Sequence, residues 1–443
     1  MKKILYIAYY YPPATGSAMP AVNRVKKIMR NLEGFRSIVM TTEPRCYPSF
    51  VETAANSTET HGNETIYRIP TSWNLHALLL RVKQAIAKAV NCFKPSPDQR
   101  TTPETPQPPQ DRPTPSASIK ELLDQLLLFP DFARPWLFPA VRKGYTVIKR
   151  EKPDIILATG TPWTALIVGA LLKSFSSAKL ITDFRDPWSE NPYVTTHPLV
   201  QKLDSLMERF VVQRSDLVFL NTTHLLNAFI KRYPRHQHKL ICVTNGYDST
   251  DFENISTQEL PHDHLNLLHA GTLYAKRDPG MLLQALAKHN KQQSMQANFY
   301  QIGKIDVDYD LPARCAELNI QENFTTLPFM PHKDCLGYMQ AADVLVLIQP
   351  DTKTQIPSKL YEYIYFNKPV LAICEEDSAL AKMIEDHRFG IVFSPHDIEG
   401  ASRYLNEICL LKKKKKRLVM DYDIGTFDFE NIISSIRHRI EQL

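Results

Sequence analysis

None of the seven cysteines (Cys46, Cys92, Cys242, Cys315, Cys335, Cys374, Cys409) forms a Cys-x-x-Cys pair, and none has a histidine at zinc-finger spacing. An odd, scattered set predicts reduced thiols in a cytosolic protein, not a disulfide framework or a structural zinc site. No uninterrupted apolar run approaches the ~18–20 residues needed to cross a bilayer. The start, "MKKILYIAYYYPP", opens like a signal peptide, but tyrosines and Pro-Pro follow where a small-residue cleavage site belongs, so a strand is expected. There is no short-period repeat and no Gly-x-Gly-x-x-Gly, so a dinucleotide fingerprint is unsupported. The net charge of 53 − 47 = +6 is too small to argue for nucleic acid, and no basic-aromatic module is present. It suits work near anionic lipid or phosphorylated small molecules.

What is present is a soluble or peripheral globular composition, 43% hydrophobic and 23% charged, over 443 residues. That length predicts two domains. Short apolar runs recur at 2–9, 36–42, 154–160, 179–184, 216–222 and 239–246, and again at 265–271, 297–303, 343–349, 369–374 and 390–394. Near-continuous apolar strands belong to parallel sheets covered on both faces. Amphipathic helices lie between them. One places Val22, Val25, Ile28, Met29 and Leu32 together and Arg24, Lys26, Lys27 and Asn31 elsewhere; another aligns Leu203, Leu206, Met207 and Phe210. Two series of alternating strands and helices predict two doubly wound α/β domains.

The expected boundary lies at "TNGYDSTDF" (244–252), giving domains 1–246 and 247–426. Segment 94–116 is so rich in Pro, Thr and Gln that disorder is expected. The apolar helix at 119–129 that follows could lie on the body or on a membrane. The run "KKKKKR" (412–417) wraps around a helix and reads as a solvated end; with 119–129 it makes peripheral contact with an anionic leaflet plausible.

Ligands of open parallel sheets sit beyond the carboxyl ends of strands, so each strand-to-helix junction is a candidate. In "YYYPPATGSAMPAVNR" (9–24), Gly16 gives a loop that a ligand can approach closely; the plain alternative is a Gly-containing turn. In "ATGTPW" (158–163), Thr161 is expected as a helix N-cap with Pro162 first in the helix. In "TDFRDPW" (182–188), Asp183, Arg185 and Asp186 crowd a strand end, as a functional site or as an internal ion pair. In "HAGTLYAKRDPG" (269–280), Gly271 and Thr272 end a strand, and Lys276 and Arg277 precede a helix whose dipole disfavours cations unless an anion shares the site. In "IPSKLYEYIYFNKPVL" (356–371), the backbone at Ser358 and Lys359 is expected to face an anion, and Glu362 projects from the same helix face. A carboxylate there suits a vicinal diol, so phosphate at the helix start and ribose one turn on describe a nucleotide; the bland alternative is a Glu362–Lys359 salt bridge.

Taken in order, "YYYPPATGSAMPAVNR", "TDFRDPW", "TNGYD", "HAGTLYAKRDP" and "PSKLYEYIYFNKPVLAI" resemble glycosyltransferase family 4, retaining enzymes of the GT-B fold. The likeness runs through nearly the whole chain outside the Pro-rich segment. It implies two Rossmann-like parallel-sheet domains facing across a cleft, with a nucleotide-sugar held by the C-terminal one and an acceptor by the N-terminal one. It also implies that a last helix (427–443) crosses back. By motif, Glu362 is similar to the second acid of the family's E-x7-E pair, which binds the donor ribose, and Arg277 to the residue reaching the diphosphate. Two departures stand out: the first acid falls at Thr354, and a second family cation falls near Gly271, where Lys359 is expected to compensate. Arg185-Asp186 stands where many members have His-Asp. Gly16 matches the glycine loop at the donor phosphates, and "LPFMPHKD" (327–334) the segment whose backbone holds the base.

The resemblance implies a front-face retaining transfer in which Arg277 and Lys359 stabilise the leaving diphosphate while Arg185 and Asp186, with Asp183 and Thr161 beside them, orient the acceptor. No metal or other cofactor is required. The Asp-x-Asp of "DVDYD" (306–310) lies in a polar loop and is not expected to bind one. A UDP-sugar is the favoured donor, a glycan or lipid-linked hydroxyl the acceptor, bacterial surface polysaccharide the product and the cytoplasm, with peripheral contact to the membrane, the place. The alternatives are a GT-B-fold epimerase or phosphorylase, and a non-catalytic nucleotide-sugar-binding or assembly protein, for which Thr354 is the evidence.

Overall fold

The computed structural model describes residues 1–15, 18–47, 57–71, 119–191, 196–416, 418, 420 and 422–443. Gly16 and the Pro-rich segment 94–116 lie outside them. The first sheet contains β1 (Lys3–Ala8), β2 (Arg36–Thr42), β3 (Thr58–His61), β4 (Glu64–Ile69), β5 (Ile155–Gly160), β6 (Lys179–Phe184), β7 (Leu217–Leu220) and β8 (Leu240–Cys242). Its order is β3-β4-β2-β1-β5-β6-β7-β8. The second contains β9 (Leu265–Ala270), β11 (Ala297–Ile302), β13 (Phe324–Leu327), β14 (Val344–Ile348), β15 (Val370–Ile373) and β16 (Gly390–Phe393), ordered β13-β11-β9-β14-β15-β16; β10 (Leu273–Tyr274) and β12 (Ile305–Asp306) pair separately.

The helices are α1 (Met19–Arg30), α2 (Ile119–Leu128), α3 (Arg134–Glu151), α4 (Trp163–Lys173), α5 (Pro198–Arg214) and α6 (Thr223–Arg232), then α7 (Gly280–Gln292), α8 (Leu311–Glu317), α9 (His332–Ala341), α10 (Lys359–Tyr365), α11 (Ala379–His387), α12 (Ile398–Lys413) and α13 (Phe429–Glu441). By mutual contact the chain divides into residues 1–22 with 34–218, and 23–33 with 219–443. This division passes through α1 and β7, away from the turn at 246 where the sequence suggests a boundary.

Both sheets follow one scheme. Ignoring the antiparallel edge strand β3, the seven remaining strands of the first run third-second-first-fourth-fifth-sixth-seventh, and the six of the second run third-second-first-fourth-fifth-sixth. In each, the order reverses beside the first strand, and the loops leaving the carboxyl ends there diverge to opposite faces. The apolar runs explain the layering. In the second sheet, Leu268, Ala270, Leu345 and Leu347 face the α9–α11 side, and Leu267, Val344, Val346 and Ile348 face α7 and α12. Neither face is left to solvent.

Several expectations are corrected here. The strand pair β3–β4, joined through Gly62 at φ +55°, and the edge strand β13 escaped the reading of apolar runs, because Thr and His occupy exposed positions of β3 and β13 and the buried Thr65 and Arg68 interrupt the apolar residues of β4. In α5 the buried residues are Val200, Glu208, Val211 and Val212, while Leu206 is exposed. In α1, Arg24 is buried, not solvated: its guanidinium donates to the carbonyls of Val243 and Thr244 and to Oδ1 of Asn245. Lys27 donates to the Gly246 carbonyl at 2.9 Å. Within the second unit, the "TNGYD" turn is therefore an anchor for α1. The lysine run is only partly solvated, since Lys412 pairs with Asp343 at 2.5 Å.

Candidate active site

The second sheet's order reverses between β9 and β14, and four of the candidate groups meet at the carboxyl ends of these strands. Gly271 follows β9 at φ +145°, a conformation closed to ordinary side chains. Its N–H donates to Ile302 O at 2.8 Å, and its carbonyl accepts from Gln301 Nε2 at 2.6 Å. A Cβ on Gly271 would lie 1.9 Å from Nζ of Lys359. The glycine thus provides the room that the lysine head occupies. The position near 271, where the resemblance expects a cation, is filled from α10.

Lys359 is largely buried, and among the described residues its ammonium has no hydrogen bond and no salt bridge. Burial first, then the Arg277 charge, push its pKa down to about 8, while Glu362 acts in the opposite sense. Arg277, in a short 3-10 turn (Ala275–Arg277), donates from Nη2 to Gln349 Oε1 at 2.6 Å, just beyond β14, and lies 5.3 Å from the ring centre of Tyr274. The helix after it starts at Gly280, where Asp278 accepts from the Gly280 N–H at 2.9 Å. Asp278 thus serves the α7 dipole, and Arg277 is turned to the strand end instead. Lys276 and Thr272 are exposed.

Sequence reasoning missed His269. It lies in β9, 3% exposed, with Nδ1 2.7 Å from Gln301 Oε1. Burial, then Lys359, push its pKa down to about 3, the Gln301 hydrogen bond opposes this and Arg277 adds to the fall, so the imidazole is neutral. Because Gln301 also donates to Gly271, the histidine fixes the glycine loop through one intermediary. The available signal was a polar residue in the apolar run "LNLLHAG".

Glu362 does not pair with Lys359. Its Oε1 lies 3.1 Å from Nε2 of His332, the first residue of α9. Its neighbours Tyr361 and Tyr363 are buried, and the Tyr363 hydroxyl donates to Val346 O at 3.2 Å, tying α10 to β14. α10 has only seven residues, and Ser358 before it is exposed and makes no side-chain cap. The positive charge here therefore comes mainly from side chains. Thr354, in the place of the first acid, accepts at its carbonyl from Thr222 Oγ1 at 3.3 Å; its own hydroxyl is buried with no partner among the described residues.

Two family models match: glycosyl transferases group 1 over residues 251–421 and glycosyltransferase family 4 over 101–251. The chain belongs to the family 4 glycosyltransferases. No curated protein sequence matches it. Among solved structures, this glycosyltransferase is similar to sucrose-phosphate synthase from Thermosynechococcus elongatus, with TM-score 0.62, 14% identity and coverage of 100% of this chain and 99% of that one. The Anabaena protein HepE in complex with UDP-glucose gives 0.58, 16%, 100% and 100%. WaaG, described as a glycosyltransferase involved in lipopolysaccharide biosynthesis, gives 0.51, 13%, 98% and 95%. At such identities the likeness shows the fold, which is GT-B with two Rossmann-like domains.

In the glycosyltransferase's first unit, the corresponding strand ends are those of β1 and β5. Arg185 donates from its backbone N–H and from Nε to Gly160 O at 3.1 and 2.9 Å, and from Nη2 to Thr161 O. Asp183 is fully buried and accepts from Thr159 Oγ1 at 2.8 Å; Arg185 and Asp186 are half-buried. Thr161 is not the N-cap of α4. The helix begins at Trp163, and Asp131 accepts from Thr164 N at 2.9 Å and from Thr164 Oγ1 at 2.7 Å. A carboxylate from the loop between α2 and α3 meets two donors at once, which a threonine before Pro162 cannot do. Trp188, the last residue of "TDFRDPW", stacks on Trp163 with ring centres 5.2 Å apart and donates to Asp204 at 2.8 Å. Asp306 of the Asp-x-Asp pairs with Lys304 and Asp310 caps α8, and among the described residues no three potential ligands converge to hold a metal ion.

Proposed function

We propose that this glycosyltransferase is a retaining enzyme that moves a sugar from a UDP-sugar to a hydroxyl of a glycan or lipid-linked acceptor in bacterial surface polysaccharide synthesis, working in the cytoplasm. The observation that carries the donor reading is the Lys359 ammonium, largely buried over Gly271 without an ion-pair partner among the described residues, with the charge of Arg277 acting on it. Two cations held together in a dehydrated site repel one another, and a diphosphate relieves that cost. It would thread its oxygens between them, close to the backbone of Gly271 and Thr272. Ribose would then meet Glu362, one turn along α10 from Lys359. That HepE is described in complex with UDP-glucose supports a UDP-sugar.

In this reading the donor leaves from the same face that the acceptor approaches. The glycosidic C–O bond to the diphosphate breaks, the acceptor oxygen bonds to the anomeric carbon, and a leaving phosphate oxygen takes the acceptor's proton. Lys359 and Arg277 stabilise the charge that grows on the leaving group, in a site that is already assembled. Arg185 and Asp186 are assigned to the acceptor. No metal is needed in this scheme, so a chelator should leave turnover unchanged.

The test is calorimetric titration of UDP and GDP into wild type and Lys359→Met, followed by transfer from the matching nucleotide-sugars with the product anomer read by NMR. One nucleotide should bind, at least tenfold more weakly in the variant, and the donor's anomeric configuration should be kept. Absence of binding to a folded wild type defeats the donor assignment. Binding without turnover moves the protein to the non-catalytic class.

A further inference from the structure

Helix α3 carries one buried acid and no exposed one. Glu151 is 7% exposed, accepts from the Tyr67 hydroxyl at 3.1 Å and pairs with Arg150 at 2.8 Å. The solvent side is different in kind. Arg134, Phe138, Arg142, Tyr145 and Lys149 are all exposed, and at helical spacing they fall within an arc of about 80°, alternating cation and aromatic ring over about 22 Å. Phe138 is 73% exposed and Tyr145 45%. Phe175, itself half exposed, meets Tyr145 edge to face at 5.6 Å and widens the apolar strip. At its N-terminal end, Arg134 donates to the Leu126 and Leu127 carbonyls at 3.3 and 3.1 Å, which joins the strip to the end of α2 and its exposed leucines.

A solvated helix face has no physical need for large rings at such exposure. Burying them in protein would require the partner to accept three cations interleaved with the rings. An anionic bilayer surface meets both demands at once: rings enter the headgroup boundary while the cations stay level with the phosphates. We propose that the outer face of α3 is a docking surface for an anionic lipid bilayer. No described helix is long and apolar enough to cross a membrane, so contact of this kind lies flat on the surface. The inference stands on the first unit's surface alone and is independent of the donor reading. It also relocates the contact suggested by the sequence: Lys412 of the lysine run is held by Asp343, whereas none of the α3 cations faces an exposed acid on its own helix.

The experiment is co-sedimentation of the full chain with phosphatidylcholine vesicles and with vesicles containing about a third phosphatidylglycerol, at low and high salt. Wild type should partition to the anionic vesicles at least tenfold better, and less so at high salt. Phe138→Ser/Tyr145→Ser and Arg142→Glu/Lys149→Glu should each lower binding at least tenfold, at roughly fivefold per cation removed, with circular dichroism and UDP titration unchanged. Failure of wild type to bind anionic vesicles overturns the proposal and leaves the face to another partner. So does binding that survives both double variants, and in that case loss of binding in Lys414→Glu/Lys415→Glu/Lys416→Glu assigns the contact to the lysine run.

Discussion

Nε2 of His332 lies 3.1 Å from Oε1 of Glu362, so one oxygen of the carboxylate proposed to hold a ribose is already engaged. The hydrogen bond to Glu362 pushes the His332 pKa above its ordinary value against the opposing effect of burial. The charges of Glu362 and of Asp251, in the turn Ser249–Phe252, add to the rise, while Lys27 of α1 opposes it. A raised histidine stabilises the fold fully below the unfolded value of about 6.5, and the contribution disappears as pH climbs through the folded value. Wild type should therefore exceed His332→Ala in stability near pH 6 and match it near pH 9. As His332 is half exposed, the gap should stay below about 1 kcal/mol. Thermal denaturation across pH checks this; a gap that does not change with pH means the ion pair does not form.

Lys359 predicts the opposite slope. Its pKa falls to about 8 in the folded chain, below the ~10.4 of an unfolded lysine, so the unfolded state holds more protons between those values and stability should rise with pH there. Lys359→Met should flatten that rise while weakening nucleotide binding. A diphosphate at the ammonium restores its proton affinity, so UDP binding near pH 8 should take up a fraction of a proton. Titrations in buffers of different ionisation enthalpy read it directly, and uptake that persists in Lys359→Met would assign the proton elsewhere.

Gly271→Ala should be costly twice over. The φ of +145° is strained for any residue with a Cβ, and the new methyl would displace the Lys359 head from 1.9 Å. We expect a loss of more than about 2 kcal/mol in stability and of at least tenfold in UDP affinity. Gly62→Ala, where nothing lies within 4 Å, serves as the comparison and should cost less and leave UDP binding intact. Urea denaturation of the pair measures both, and equal costs would deny the role given to the Lys359 contact.

Asp131 separates a cap from a charge. It is partly buried, desolvation raises its pKa, and its carboxylate accepts from Thr164 and from the Ala133 N–H at 2.9 Å. A carboxyl whose pKa is raised in the fold loses stabilising power as pH climbs from the unfolded value of about 3.9 through the folded one. Asp131→Asn keeps an acceptor without the buried charge and should be neutral or stabilising at pH 7. Asp131→Ala should cost about 1–2 kcal/mol through loss of the cap. Guanidinium melts of the two variants decide it; equal destabilisation would mean that the charge itself is needed.

The chain's own pattern determined a good deal. Continuous apolar runs can be satisfied only by strands buried on both faces, so the parallel sheets and their alternation with helices were legible from the residues at 154–160 or 343–349 alone. The motif residues Gly271, Arg277, Lys359 and Glu362 were legible as a group because loops that leave strand ends gather at one edge. Side-chain partnerships were not. Periodicity put Arg24 on a wet face, yet the Val243 carbonyl and two acceptors from the "TNGYD" turn, Thr244 O and Asn245 Oδ1, make its burial favourable. Spacing offered Lys359 to Glu362, but the lysine head goes to the void above Gly271 and the carboxylate goes to His332, thirty residues away in sequence. Thr161 looked like a cap until Asp131, from another loop, took the donors. Sequence determines where the strands run and where the backbone must bend, because those demands are local. Which acceptor a buried donor finds depends on strands and loops far apart in the chain, and only tertiary packing brings those within hydrogen-bond reach.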